Sequence, residues 1–307
     1  MSARVLVTGA NGFVGRAVCR MLAARGTGVV AADVEFDEGF GGVSLERVRC
    51  DLTDFGQVEA LFRNGAIDRV VHAGAISGPM LCRDDPLTMH RVNAAGTLNL
   101  LESARIHRVG RFVLLSSIAV YGDHPALTPV AEHAPLLADD PYGSSKAVAE
   151  RFALCYRASF GVPVVALRVS SIYGPARRTP CLVQALIDSA NDDAEHVDVS
   201  ASPLSLRQLI HIDDCVHGVL LALDSTAPLQ FAYNIASGTT ISEAGLAQAV
   251  AARYAGVRYR LFEAPRFSDG HIGALDIGAA TRDLNFIPRV SLEQGLSTYA
   301  SAGSRER

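Results

Sequence analysis

The chain opens on an apolar run, Val5-Leu6-Val7, that stops at a glycine-rich turn and gives way to apolar residues at helical spacing from Phe13 to Arg25. The alternation recurs. Short β-branched runs at Val5 to Thr8, Gly28 to Asp33, Arg69 to Ala73, Arg111 to Ser116 and Val162 to Arg168 predict successive strands. Between them, Phe13 to Arg25, Pro86 to His107 and Tyr142 to Phe160 predict helices long enough to cover both faces of a sheet. Strands that alternate with long helices form βαβ units, so the pattern predicts a doubly wound parallel α/β sheet. After Pro175 the alternation weakens, and the polar stretch Asn191 to Ser205 predicts an exposed connection. A last strand-and-helix unit starts at Gln208-Leu209-Ile210-His211, and the tail from Gly238 mixes short helices and turns without an internal repeat.

Composition narrows the class. A chain of 307 residues that is 49% apolar and 20% charged can bury a large core and is soluble rather than disordered. Its net charge of −4, with scattered basic residues, gives no electrostatic footprint for nucleic acid. The cysteines Cys19, Cys50, Cys82, Cys155, Cys181 and Cys215 lie far apart, with no Cys-x-x-Cys pair for redox chemistry or zinc, and are expected to be reduced and mostly buried. Apolar runs such as Val219 to Leu223 are far short of the ~20 residues that span a bilayer. The start of the chain lacks the pattern of a signal peptide, so no membrane segment and a cytoplasmic location are expected.

The turn Thr8-Gly9-Ala10-Asn11-Gly12-Phe13-Val14-Gly15 joins a strand to a helix and carries glycines where a backbone must turn tightly and approach a pyrophosphate. Free amides at a helix start face such an anion. The same turn could be a glycine-rich connection that binds nothing. Asp33 closes the next strand, roughly 20 residues past the glycines, where a carboxylate accepts hydrogen bonds from an adenosine ribose. Its charge and that of Glu35 would repel a 2′-phosphate, and no Arg or Lys follows at once, which favours NAD over NADP. The bland reading of Asp33 is a solvated acid at a strand end. Asp51 in Cys50-Asp51-Leu52-Thr53-Asp54 carries the same two readings, with the adenine edge as its partner.

Tyr142 and Lys146 stand at the start of a predicted helix, where an i, i+4 spacing puts both on one face. Bringing a phenol from its ordinary pKa near 10 to neutrality stabilises the phenolate by about 4 kcal/mol, which a lysine ammonium and a positive nicotinamide ring could supply. A Tyr-x-x-x-Lys pair alone is common on helix surfaces. Ser117, after a predicted buried strand, adds a hydroxyl at the carboxyl edge of the sheet, where ligands of α/β folds bind. His72 reads as a packed structural histidine, and His211 with Asp213 and Asp214 as a helix cap. His90, His107, His124, His133 and His196 show no metal-ligand spacing, so no metal is expected.

With the glycine turn, Asp33, Ser117, Tyr142 and Lys146 in this order, the chain resembles the extended short-chain dehydrogenase/reductases, the NAD-dependent epimerase/dehydratase family. The likeness takes in His72-Ala73-Gly74-Ala75, Asn93 to Thr97, Leu167-Arg168, Ile172-Tyr173-Gly174-Pro175, Ile210 to Asp214 and Tyr233 to Gly238. The resemblance implies a Rossmann fold with a smaller C-terminal substrate-binding lobe. Residues 1–170, joined by 208–236, would bind NAD, and 171–207 with 237–307 would form the lobe. It implies that Gly9, Asn11, Gly12, Phe13, Val14, Gly15, Asp33, Asp51, Leu52, Ala73, Gly74, Ala75, Asn93, Tyr142, Lys146 and Ser170 hold NAD. Tyr142 would be general acid or base, Lys146 would hold the nicotinamide ribose and tune Tyr142, and Ser117, Ile118, Ser171 and Arg207 would meet the substrate. A homodimer through the helices near 86–107 and 142–160 is also implied.

The departures matter as much. Ile118-Ala119 stands where nucleotide-sugar dehydratases carry Asp-Glu, which removes the carboxylates that water elimination uses. Ser170-Ser171 replaces a Phe-Asn pair of nucleotide-sugar members, and the stretch from Gly174 to Arg207 is short, so a free sugar or sugar acid is a candidate substrate. Three readings follow: an epimerase that takes a hydride from a secondary hydroxyl of a sugar or sugar derivative and returns it to the other face, a simple NAD-dependent dehydrogenase, and a non-catalytic NAD sensor.

Overall fold

In strand β1 (Arg4–Thr8), Val5, Val7 and Leu6 are all fully buried, yet they belong to two different apolar clusters. That division runs through the whole sheet, because successive side chains of a strand point to opposite faces. The remaining strands are β2 (Val29–Asp33), β3 (Glu46–Arg49), β4 (Ile67–His72), β5 (Arg111–Ser117), β6 (Val164–Val169), β7 (Ser171–Tyr173), β8 (Val197–Ser200), β9 (Leu206–Arg207), β10 (Leu209–His211), β11 (Ala232–Ile235), β12 (Ile241–Ser242) and β13 (Tyr259–Phe262). The helices are α1 (Phe13–Ala24), α2 (Phe55–Gly65), α3 (Pro86–His90), α4 (Gly96–Ile106), α5 (Pro141–Phe160), α6 (Leu182–Asp188), α7 (Ile212–Asp224), α8 (Glu243–Arg253), α9 (Gly278–Leu284) and α10 (Leu292–Gly303). The computed structural model describes residues 4–38, 40, 45–78, 81, 82, 84–123, 128–190, 195–263 and 274–303.

Seven strands form one parallel sheet in the order β11-β6-β5-β4-β1-β2-β3. On one face Val5, Val7, Val29 and Val113 pack against α1 and α7. On the other, Leu6, Val30, Phe112 and Val164 pack against α2, α4 and α5. Helix α1 buries Gly15, Val18, Cys19 and Leu22, a single stripe at helical spacing. A third cluster, with Val183, Leu186, Val199, Leu246, Val250 and Leu296, joins α6, β8, α8 and α10 away from the sheet.

Several local expectations change. Strand β8 lies within the stretch expected to be an exposed connection, and Val199 and Ser200 in it are fully buried because β8 pairs with β13. The single helix expected from Pro86 to His107 is broken by a π-helical turn at Arg91–Ala95. Strand β3 and helix α2 were not anticipated. The helix has its signal in the sequence, since the Asp54 carboxylate accepts from Gln57 N at 3.1 Å while the Gln57 side chain returns a bond at 3.0 Å. All six cysteines are free, but only Cys19, Cys50 and Cys215 are buried, and Cys155 is exposed on α5. Among the described residues no helix is long and apolar enough to cross a membrane.

One charged pair is buried in this frame. Glu150 of α5 (1% exposed) and Arg168 of β6 (5% exposed) meet at 2.7 Å between Oε2 and Nη2, with Nε of Arg168 3.0 Å from Oε1. Ser116 donates to Glu150 Oε1 at 2.5 Å, and Arg168 Nη1 donates to Tyr121 Oη at 3.0 Å and to the Glu132 carbonyl at 2.7 Å. Tyr121 in turn donates to Asn234 Oδ1 at 2.7 Å. Removing one member of such a pair leaves an uncompensated buried charge. Glu150→Ala is therefore expected to cost about 3–5 kcal/mol of stability in urea unfolding, and Glu150→Met with Arg168→Met to cost less than Glu150→Ala. A single variant as stable as the wild type would contradict this account.

Candidate active site

Strand order reverses between β1 and β4, since the chain runs from β1 outward to β3 on one side and from β4 outward to β11 on the other. The carboxyl ends of β1 and β4 therefore flank the crevice where ligands of such sheets bind. Two glycine turns meet there. Gly9 has φ +64°, and a Cβ on it would stand 2.6 Å from Gly74 Cα, so both turns depend on the absence of a side chain. A Cβ on Gly15 would stand 2.0 Å from the Gly9 carbonyl, which is why α1 can start so close to the turn. Gly12 is the N-cap of α1 and brings no capping side chain, so it leaves the amides of Phe13 and Val14 at the helix start uncapped.

Asp33 closes β2 beside this turn. Its carboxylate accepts from Asn11 N and from Val34 N, each at 2.8 Å. Burial raises its pKa, and the backbone amides of Asn11, Val34 and Glu35 oppose that rise. Asp51 instead holds its own loop, accepting from Thr53 N at 2.9 Å and Thr53 Oγ1 at 2.8 Å. Leu52 packs beneath the second turn, where a Cβ on Gly74 would stand 2.7 Å from its Cδ1.

Ala73, Gly74 and Ala75 leave the end of β4, and the segment is held from below. Asn93, in the π-helical turn, accepts from Ile76 N at 2.8 Å and donates to the Ile76 carbonyl at 3.0 Å and to Ser145 Oγ at 2.9 Å. Its amide is thus spent on positioning the loop and α5. His72, fully enclosed, sits between Thr8 Oγ1 (2.7 Å from Nδ1) and Thr97 Oγ1 (2.9 Å from Nε2). Burial, with the Lys146 charge, lowers its pKa to about 3, so the ring is neutral.

At the end of β5, Ser117 caps a 3₁₀ turn, Ile118–Tyr121, by accepting from Ala119 N at 3.1 Å. Helix α5 begins against this turn. Asp140 caps it, taking the amides of Tyr142 and Gly143 at 2.9 and 3.1 Å, and Pro141 fills the first helical position. A Cβ on Gly143 would stand 2.5 Å from the Ala119 carbonyl, so this glycine lets Tyr142 approach Ser117. The Ser117 and Ser77 hydroxyls bear on the Tyr142 phenol and favour its ionised form, but burial outweighs them and raises its pKa. Lys146 has a partner of its own. Its ammonium donates to the Leu115 carbonyl at 2.9 Å, and burial lowers its pKa to about 8, with Glu150 opposing.

Of the residues expected to meet the substrate, Ile118 packs on a small apolar cluster with Val120, Tyr121 and Ala236, and Ser171 is exposed at the start of β7. Ser170, expected to meet the cofactor, has a buried hydroxyl with no hydrogen-bond partner among the described residues. Arg207 is held by Glu243, whose Oε1 accepts from its Nε at 2.8 Å. His211 caps α7 through a 3.3 Å bond from Asp213 N to Nδ1, and Asp214 takes Arg289 N and Val290 N at 3.0 and 2.9 Å. His124 lies outside the described residues, and among those described no group of His, Cys, Asp and Glu is arranged to hold a metal ion.

Sequence reading missed four contributors. Ser77 follows the Ala73-Gly74-Ala75 segment and reaches Tyr142. Arg16 and Arg178 both converge on Asp37 beside Asn11. Nothing local in the sequence joins Arg178 to Asp37, because β7 and the β2 connection meet only through the fold.

A profile of the NAD dependent epimerase/dehydratase family matches residues 5–236. The chain is 31% identical to a dTDP-glucose 4,6-dehydratase of Streptomyces antibioticus, over 95% of this chain and 90% of that one. It is 28% identical to a UDP-glucose 4-epimerase of Mycolicibacterium smegmatis, over 96% of each. Among solved structures it superposes on MoeE5 in complex with UDP-glucuronic acid and NAD with a TM-score of 0.87, at 29% identity and covering 99% of this chain and 100% of that one. The UDP-glucose 4-epimerase of Thermus thermophilus in complex with NAD gives a TM-score of 0.87, at 27% identity over 97% of this chain and 98% of that one. With its glycine turn, Ser117, Tyr142 and Lys146 all inside the matched span, the chain belongs to the NAD dependent epimerase/dehydratase family.

Proposed function

We propose that this enzyme is an epimerase that acts on a secondary hydroxyl of a sugar carried on a nucleoside diphosphate. The observation that carries the reading is the meeting of Ser117, Ser77 and Tyr142 at the carboxyl edge of the sheet, with Lys146 one helical turn behind. Bound NAD supplies the hydride acceptor and, on the return, the donor. Ser117 orients the reacting hydroxyl, and Tyr142 takes its proton and gives it back. In the conformation described, the phenol is held protonated and Lys146 rests on Leu115. A move of the Lys146 ammonium from that carbonyl towards the crevice would bring the charge that the phenolate needs.

The nucleotide-sugar class rests on the relatives' names and on Arg207, the arginine expected to meet the substrate, which Glu243 holds in place. The M. smegmatis epimerase is matched over 96% of its length, so the short stretch from Gly174 to Arg207 is a weak argument for a free sugar. Ile118-Ala119 argues for epimerisation over dehydration, since the turn beside Ser117 brings no carboxylate. The reading includes NAD held by 1–170 with 208–236, and a substrate lobe made of 171–207 and 237–307. It also includes a cytoplasmic homodimer through α4 and α5, where Ile106 and Phe160 are exposed.

The test is a panel of UDP- and dTDP-hexoses and hexuronates incubated with the purified protein, followed both by NADH absorbance and by separation of epimers. Epimer formation without net NADH is expected. Steady NADH accumulation with one sugar would replace the epimerase by a dehydrogenase. Tyr142→Phe should lower kcat by more than about 100-fold, the usual loss for a general acid or base, while NAD binding persists. Retained turnover would remove Tyr142 from the chemistry.

Lys146 gives a pH signature. In the unfolded chain a lysine keeps its proton to about pH 10.4, whereas the folded protein releases this one near 8. Between those limits the unfolded state binds the extra proton, so this group makes stability rise with pH, by up to about 3 kcal/mol. The stability of the wild type relative to Lys146→Met should therefore increase from pH 8 to 10 in denaturant unfolding. A pH-independent difference would show that the ammonium is not desolvated.

A further inference from the structure

Asp37, in the connection after β2, is gripped from two sides. Arg16 of α1 donates to its Oδ2 at 2.6 Å, and Arg178, beyond β7, pairs with the same oxygen and donates to Oδ1 at 3.2 Å. Asn11 joins all of them. Its side chain accepts from Arg16 at 2.5 Å and donates to Asp37 Oδ1 at 3.2 Å, and its carbonyl lies 3.4 Å from Arg178 Nη2. The backbone amide of the same residue donates to Asp33 Oδ2 at 2.8 Å. The two guanidiniums are therefore one residue away from the carboxylate placed to read the adenosine ribose. Arg16 is also fixed in place, with its guanidinium 5.3 Å from the centre of the Phe40 ring.

Two arginines around one oxyanion is the arrangement that recognises a phosphate monoester, because each planar fork matches its oxygens and keeps its charge. The Asn11 side chain, Arg16 and Arg178 together hold the Asp37 carboxyl below the usual carboxylate range, so it stays an anion. We propose that Asp37 occupies a ready-made phosphate cradle of Arg16 and Arg178, standing where the 2′-phosphate of NADP would bind. Selection of NAD then depends on two carboxylates: Asp33 repels the phosphate, and Asp37 fills and neutralises the site that would otherwise receive it. This rests on reading the glycine turn as the NAD site.

The test is calorimetric titration with NAD and with NADP of the wild type, Asp33→Ser, Asp37→Asn and the double variant. Asp33→Ser should narrow the gap between the dinucleotides. Adding Asp37→Asn to it should tighten NADP by at least about tenfold while NAD changes by less than about threefold, as expected for freeing charge-assisted contacts to one phosphate. Asp37→Asn alone should move NADP in the same direction. Arg178→Gln added to the double variant should remove most of the gain. If Asp37 only latches the turn shut, NAD and NADP affinities will move together, and that result, or an unchanged NADP affinity, overturns the proposal. A wild type that binds neither dinucleotide overturns both the proposal and the NAD reading beneath it.

Discussion

The ion pair between Glu150 and Arg168 is the constraint around which the site is arranged. A buried pair stabilises a fold only when its remaining hydrogen-bonding capacity is met, and here the partners that meet it come from separate parts of the chain. Ser116 ties Glu150 to the end of β5, one residue before Ser117. Tyr121 ties Arg168 to the 3₁₀ turn, and the Glu132 carbonyl ties it to the segment that follows. Asn234 carries the connection on to the Val130 and Asp276 carbonyls at 2.9 and 3.0 Å. The strand that bears the serine, the turn beside it and the chain after β11 are thus held by one set of polar contacts.

Helix α5 reads this frame along a single face. Tyr142, Lys146 and Glu150 follow one another at one-turn intervals, and each addresses the end of β5: the phenol beside Ser117, the ammonium on the Leu115 carbonyl and the carboxylate on Ser116. Spacing alone announced the first two residues as partners. The structure gives Lys146 a backbone acceptor of its own, and the expected pairing with the phenol is not made in this conformation.

The parallel sheet was legible because its strands are apolar on both faces, and the glycine turn because sterics leave no alternative at Gly9 and Gly15. What escaped was polar or distant. Strand β3, Glu-Arg-Val-Arg, lies at the sheet edge and shows no apolar pattern, and β8 is short enough to be hidden among Asp and Ser. The arginine cluster at Asp37 is invisible in sequence since Arg16, Asp37 and Arg178 come from three elements, and the absence of a basic residue just after Asp33 concealed two that arrive through space. Glu150 and Arg168 looked like ordinary helix and strand positions until burial made them a pair.

The hydrogen bonds around His72 also have a direction. Gly74 N donates to Thr8 Oγ1 at 3.3 Å, and Thr97 Oγ1 donates to the Asn93 carbonyl at 2.6 Å. With an amide that can only give at one end and a carbonyl that can only take at the other, each hydrogen has one place. Thr8 must donate to Nδ1, and Nε2–H must donate to Thr97. Such a row is an insulator: with both ends fixed by backbone it cannot reverse, and so it cannot carry a proton inward from the crevice. The imidazole, for all its usual reactivity, thus serves as a polar rivet between β4 and the helix behind it.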